Sequence, residues 1–183
     1  MLLSSDVIYK LNDRDEICFV NRAYDEFAAA NAGMSCASTA VLNRPLWNSI
    51  TDLTTQELYR GLLKRVRAGR LIQFNFRCDS PTCRRLLEMN LSCGADGEVE
   101  FRVRTISEEN RPAQELLEPT AARSDKLLRV CAWCKKIHLE DRWMEVEEVT
   151  ARLRLFEQRL LPLMTHGICE PCRQGMTAKL AAT

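Results

Sequence analysis

Cys131-Ala132-Trp133-Cys134 and Cys169-Glu170-Pro171-Cys172 repeat one C-x-x-C spacing on either side of an apolar, helix-patterned stretch. Two residues between paired cysteines form a tight knuckle that aims both sulfurs at one point. Two such knuckles supply the four thiolates that a tetrahedral Zn²⁺ requires. The expectation is a structural zinc site built from Cys131, Cys134, Cys169 and Cys172, stapling a segment with too few apolar residues to fold alone. Two other readings of the same sulfurs stay open: reduced or locally disulfide-bonded thiol couples, and a redox switch, because C-x-x-C spacing lowers one thiol pKa. His166, three residues before Cys169, either replaces a thiolate in a Cys₃His variant or supports the site by a hydrogen bond. His138 is expected on an exposed hairpin.

Around this block the chain has 183 residues, 46% of them hydrophobic, enough for one large domain or a medium domain with a small module. The start, residues 1–6, has neither a basic nor an apolar leader region, and no run approaches the ~18 apolar residues of a membrane span. A cytoplasmic location without membrane contact is therefore expected. In a reducing compartment the nine cysteines are no disulfide framework. The formal net charge is +1. From residue 122 to 183 there are 11 Lys/Arg and 8 Asp/Glu, a formal +3, which four thiolates and one Zn²⁺ reduce to about +1. That is not a basic nucleic-acid-binding stripe.

Towards the N-terminus, residues 6–11 and 16–21 are β-branched and aromatic runs flanking the turn-rich Asn12-Asp13-Arg14-Asp15, an antiparallel hairpin. Asn21 opens a helix over 22–31, and residues 34–42 are irregular. The segment 43–50 is a short turn or helix offering Leu46, Trp47 and Ile50 to a core. A longer helix is expected to start at Thr54, with Glu57 completing a capping box. Its apolar stripe is Leu58, Leu62, Leu63 and Val66, its stop is Gly69, and Arg60, Lys64, Arg65 and Arg67 form a solvated face. Period-two alternation then predicts three strands. Their inward sets are Ile72, Phe74, Phe76 and Cys78; Leu87, Met89, Leu91 and Cys93; and Val99, Phe101 and Val103, with Ala95-Asp96-Gly97 as a hairpin loop. Two strands, helices, then a three-stranded meander make an α+β unit with one sheet face under helices.

This succession resembles the PAS domain. The opening hairpin, Asn43-Arg44-Pro45-Leu46-Trp47 in the place of the common G-R-x-L-W segment, the helix over 54–69 and the meander over 71–106 carry the likeness. The block 130–172 resembles the C-x-W-C-K, R-W-x-E-V-E-E and T-H-G-I-C-x-x-C segment at the ends of many bacterial PAS and response-regulator proteins. Together these imply a PAS-like five-stranded antiparallel sheet over residues 5–106 and a linker over 107–126, in which Leu116 and Leu117 can begin a docking helix. A zinc module over 127–175 and a tail over 176–183 follow. Within the module, residues 135–138 and 142–146 are expected to pair as a hairpin. Val146, Val149, Leu153, Phe156 and Leu160 then mark one amphipathic helix ended by Pro162.

PAS domains often hold a ligand, and the resemblance leaves this one's unidentified. The N-C-R-F-L-Q segment of flavin-binding LOV domains is absent, and no histidine precedes residue 138 to ligate haem in the usual way. Cys78 and Cys83 flank a predicted turn, where they either sit opposite each other as a redox pair or simply fill the core edge. A filled Cys₄ site leaves no position for water, and no glycine-rich phosphate loop or nucleophile motif accompanies it, so no enzymatic activity is expected. The function expected is that of a bacterial signalling or regulatory protein acting through a protein partner or homodimer contact of the PAS domain. The alternative is a thiol-based redox sensor that loses zinc on oxidation. A DNA-binding ribbon, which would show steeply salt-dependent binding, is the weakest of the three.

Overall fold

The computed structural model describes residues 6–31, 33 and 36–181. The readings made of residues 1–5, of Met34 and Ser35 and of Ala182 and Thr183 in the tail fall outside these. Strands β1 (Val7–Leu11) and β2 (Ile17–Val20) pair antiparallel with Leu11 opposite Ile17. The Asn12 side chain closes their turn by accepting from the Arg14 and Glu16 N–H groups at 3.0 and 2.9 Å. Asn21 Oδ1 accepts from Tyr24 N at 3.0 Å and so starts helix α1 (Arg22–Ala30). A short helix α2 (Ser38–Val41) lies in the stretch expected to be irregular, and a 3₁₀ turn, Leu46–Ser49, buries Leu46.

Helix α3 (Leu53–Arg67) begins earlier than its capping-box reading. Asp52, not Thr54, is the N-cap, and its Oδ2 accepts from both Thr55 N and Thr55 Oγ1 at 2.7 Å. A carboxylate that takes two donors at the positive end of the helix outcompetes a neighbouring hydroxyl. The stripe Leu58, Leu62, Leu63 and Val66 is buried as expected, and Gly69 takes the left-handed conformation (φ 87°) just past the end.

Strands β3 (Ile72–Arg77), β4 (Cys83–Cys93) and β5 (Val99–Asn110) complete a sheet of order β2-β1-β5-β4-β3, antiparallel throughout. Leu87, Met89, Leu91, Val99, Phe101 and Val103 meet the α3 stripe in one core, while Cys93 is exposed. This is the PAS-like five-stranded α+β sheet. Strand β5 does not stop at Ile106. Leu86 pairs with Ser107 and Leu87 with Thr105, so Ile106 is the extra residue of a bulge. The bulge breaks the period-two pattern without ending the strand.

The linker expected over 107–126 is likewise structured. Arg111 N donates to Thr82 O at 2.9 Å, Gln114 N to Pro81 O at 3.0 Å, and Leu116 is buried. The second unit starts at β6 (Arg123–Cys131), four residues before the expected boundary at 127, and adds the hairpin β7 (Ile137–Leu139) and β8 (Arg142–Met144). The single helix expected from Val146 to Leu160 is replaced by α4 (Val146–Arg152) and a 3₁₀ turn, Leu155–Glu157. Arg154 in the left-handed region (φ 50°) breaks the helical phase between them. Leu155 is therefore buried while Phe156 and Leu160 are 67% and 51% exposed.

Pro162 does not end a helix. It lies in β9 (Leu161–Gly167), an edge strand where a missing N–H is tolerated. The sheet order is β8-β7-β6-β9, with β9 parallel to β6. Leu128, Val130, Ile137, Met144, Val146, Val149, Leu155 and Leu161 close a separate core with Leu116. The unit is thus not short of apolar residues. Finally, α5 (Glu170–Ala181) carries through most of the expected tail, burying Met176. Among the described residues no helix is long and apolar enough to cross a membrane.

Candidate metal centre

Parallel pairing explains how two cysteine pairs 38 residues apart meet. Cys131 is the last residue of β6 and stands opposite Gly167, the last of β9. Each strand therefore delivers its knuckle to the same end of the sheet. In the first knuckle Cys131 N donates to Lys136 O at 2.8 Å and Lys135 N to Cys131 O at 3.1 Å, with Lys135 in the left-handed region (φ 60°). The second knuckle is the start of α5. Arg173 N donates to Cys169 O at 2.9 Å, and Pro171 sits in the first turn, where the absent N–H costs nothing. Cys172 lies in that same turn.

The sulfur atoms of Cys131, Cys134, Cys169 and Cys172 all lie within 4.8 Å of one another. Cys169 Sγ is 3.6 Å from Cys131 Sγ and 3.7 Å from Cys134 Sγ. Four sulfurs at ~2.3 Å around a tetrahedral ion are ~3.8 Å apart, so the donor set suits a single ion. Backbone donors converge on the same sulfurs. Cys169 N donates to Cys131 Sγ at 3.4 Å, and the N–H groups of Cys134 and Lys136 favour the thiolates of Cys131 and Cys134. Hydrogen bonds from the Cys134 and Cys172 thiols hold Cys131 far below the ordinary thiol range. The same contacts, chiefly that with Cys131, push Cys134 up to about 11 and raise Cys172. Sulfurs this close form a cluster in which a dication can replace the shared protons. His166 is not part of it. It lies on β9 beside a neighbouring cleft, and partial desolvation, then Lys135, disfavour its charged form.

The cluster is embedded between the two sheets. Cys131, Trp133, Cys169 and Met176 belong to the same buried core as Phe74, Leu62 and Phe101 of the first sheet. Trp133 packs its ring 5.6 Å from Tyr59 and 6.1 Å from Phe74, and its carbonyl accepts from Arg77 N, on the open edge of β3, at 2.7 Å. From α5, Leu180 reaches Gly61 of α3, where the missing side chain leaves room for it.

A charged network also joins the units, and Arg77 belongs to it as well. Arg77 pairs with Asp79 and, at 2.7 Å, with Glu145. Arg84 pairs with Glu147 at 3.1 Å. Arg111 pairs with Glu147 at 3.0 Å and Asp79 at 3.3 Å. The Asp79 and Arg111 side chains are only 3% and 5% exposed. The acidic side of this contact comes from Glu145, the N-cap of α4, and Glu147 in its first turn.

Cys78 and Cys83 are not opposite each other. Cys78 N donates to Arg85 O at 3.1 Å, and Cys83 instead bridges with Ser80. The ladder of β3 and β4 keeps one register down to a turn with only Pro81 and Thr82 between Ser80 and Cys83, too short to bring Cys78 opposite Cys83, and Cys83 is a buried thiol while Cys18 and Cys36 are exposed.

The structure thus defines a two-unit α+β protein, a PAS-like sheet bound edge-on to a mixed four-stranded sheet with a four-sulfur cluster at the junction. No family model and no curated protein matches the chain. Among solved structures it is similar to a domain of the sensory box sensor histidine kinase/response regulator from Geobacter sulfurreducens (15% identity, 54% of this chain and 82% of that one, TM-score 0.39). It is also similar to a sensory box sensor histidine kinase from Vibrio cholerae (11% identity, 56% and 82%, TM-score 0.39). The strand order and sulfur geometry above stand without these likenesses.

Proposed function

We propose that the protein is a non-catalytic signalling or regulatory protein in which a structural Zn²⁺ fixes the second unit, and through it α5, against the PAS-like sheet. The observation that carries this reading is the convergence of four sulfurs within 4.8 Å inside the core the two units share. Four thiolates are a soft donor set that selects zinc over oxygen-seeking ions, and a closed Cys₄ shell offers no place for a reacting water. Cys131, Cys134, Cys169 and Cys172 hold the ion. The ion supplies attachment rather than chemistry. A change in the PAS-like sheet reaches the second unit through Trp133 and the Arg77 contacts, and the output is a contact with a protein partner or a second copy.

Elemental analysis of the purified protein together with its visible absorption spectrum tests the metal assignment. About one zinc per chain and no visible band is the expected result; iron with a visible band, or no retained metal, overturns it. Light scattering across a concentration series then tests for self-association.

A redox reading of the same cluster draws on one observation, the partial exposure of Cys134 and Cys172, which gives an oxidant access to two of the four ligands. It requires mild peroxide to release zinc with loss of helicity. Retained zinc with unaltered helicity defeats it.

A further inference from the structure

The four cluster cysteines differ in access. Cys131 and Cys169 are closed to solvent, whereas Cys134 and Cys172 are half-buried. Those two line a cleft of about 270 Å³ between the edge strand β3 and α5, with Phe74, Phe76 and Trp133 among its apolar walls. It falls just below the ~300–1,000 Å³ of small-molecule pockets, so it admits a small metal-binding molecule and excludes a macromolecule. A second cleft, of about 200 Å³ at the start of α3, touches Ala132, Trp133 and Lys135 but no cluster cysteine.

The α5 wall has one unusual position. Cys172, Gly175, Met176 and Lys179 recur at i, i+3, i+4 and i+7 and so share a face of the helix. Met176 is buried in the shared core, and all four residues line the cleft. Gly175 is thus the next residue along this wall from a cluster sulfur. A Cβ built on it would meet no atom within 4 Å, and its φ is not in the left-handed region. Inside a helix glycine is less favourable than any residue but proline, and here neither crowding nor backbone conformation calls for it. What glycine leaves at 175 is a gap in the wall beside a metal ligand.

We propose that this cleft is the path by which a small chelating molecule takes zinc from the cluster and returns it, and that Gly175 keeps the path open. The inference rests on the zinc reading above and adds the route of exchange. A donor atom of the incoming molecule replaces the sulfur of Cys134 or Cys172 on the ion, and the released thiolate takes a proton from water; return of the ion reverses both changes. Cys131 and Cys169, closed to solvent, are beyond the first reach of the entrant.

The test mixes the full chain, loaded with zinc, with excess pyridylazoresorcinol and follows the coloured zinc complex at several chelator concentrations. The rate from the native protein is expected to rise with chelator concentration, because the chelator takes part in the step. Gly175→Leu should slow the transfer by about tenfold with no loss of bound zinc. Gly175→Ala strengthens the helix at least as much but adds little bulk, so its rate should stay within about twofold of native. If Gly175→Leu does not hold its full complement of zinc, Gly175→Gln, with a longer unbranched side chain, replaces it.

A native rate independent of chelator concentration overturns the inference, since the ion would then leave by detachment of α5. Equal slowing by Gly175→Ala and Gly175→Leu overturns it as well, because helix strength rather than access would set the rate. Zinc lost from Gly175→Leu at the native rate overturns it and leaves the metal reading standing. A protein that holds no zinc at the outset sinks both.

Discussion

Cys131 has the most demanding position of the four cluster cysteines. It is fully buried, ends a strand, and accepts the Cys169 N–H through its sulfur, whereas Cys134 and Cys172 stay partly open to solvent. A serine at 131 keeps the size but removes the soft donor from a site that water cannot enter to compensate. Cys131→Ser is therefore expected to lose the metal outright and Cys172→Ser to retain a weakened site, with zinc content and a competing chelator titration as the measurements. Arg111 poses a parallel problem with a different chemistry. Its guanidinium is almost wholly buried between Asp79 and Glu147, and removing it takes one partner from each, leaving Asp79 with Arg77 and Glu147 with Arg84. With those partners remaining and Glu147 partly open to solvent, the loss of the buried charge-assisted hydrogen bonds costs about 1–3 kcal/mol, and Arg111→Leu should lower the urea midpoint accordingly. An unchanged midpoint would mean that solvent already screens the pair.

Among the elements, α3 separates two readings of the same sequence. Thr54 with Glu57 satisfies the capping-box pattern, yet Asp52 makes the cap, because its carboxylate reaches two donors of Thr55 at once. Asp52→Ala should cost about 1 kcal/mol and Thr54→Ala a few tenths at most, both read from thermal or urea unfolding. Patterns confined to one element were legible: the α3 stripe, the alternating strands of the meander, and the αL glycine after α3 each depend on residues a few positions apart. What escaped depended on distant partners or on a single odd dihedral. Leu127 to Cys131 and Leu163 to Gly167 carry no mark that they pair in parallel, and that pairing is what joins the knuckles. Arg154 at positive φ shifts the buried position from Phe156 to Leu155, a change of phase no periodicity count contains. The spacing of the cysteines named the cluster. It did not say that the cluster would be packed into the first sheet's core.

For the molecule as a whole, two apolar cores are joined by two attachments of different chemistry, the first the sulfur cluster with Trp133 and α5, the second the Arg–carboxylate network. They should fail under different conditions. Partial burial opposes the charge on Glu147, but its own backbone N–H and the Arg111 guanidinium more than offset this and hold its carboxyl below the ordinary value of 4.5. A carboxyl whose folded pKa is depressed contributes stability that is complete above the unfolded value and disappears as pH falls through the folded one. The stability gap between the native protein and Arg111→Leu should thus be constant from neutral pH down to about 5 and shrink below 4.5; a gap independent of pH would show that Glu147 carries none of it.

Chelation at neutral pH attacks only the other attachment. The carboxylate network stays charged, and the second unit keeps its own core of Leu128, Val130, Ile137 and Val149. Metal removal is therefore expected to release α5 and loosen Trp133 without unfolding either sheet. It should appear as new protease cleavage within residues 170–181 and a red shift in tryptophan emission, with strand content by circular dichroism unchanged. Applied to Arg111→Leu, the same chelator removes the second attachment as well, and the two sheets should then unfold in separate transitions. A single cooperative transition in that doubly weakened protein would mean that apolar contact around Tyr59, Phe74 and Trp133 alone suffices to hold the units together.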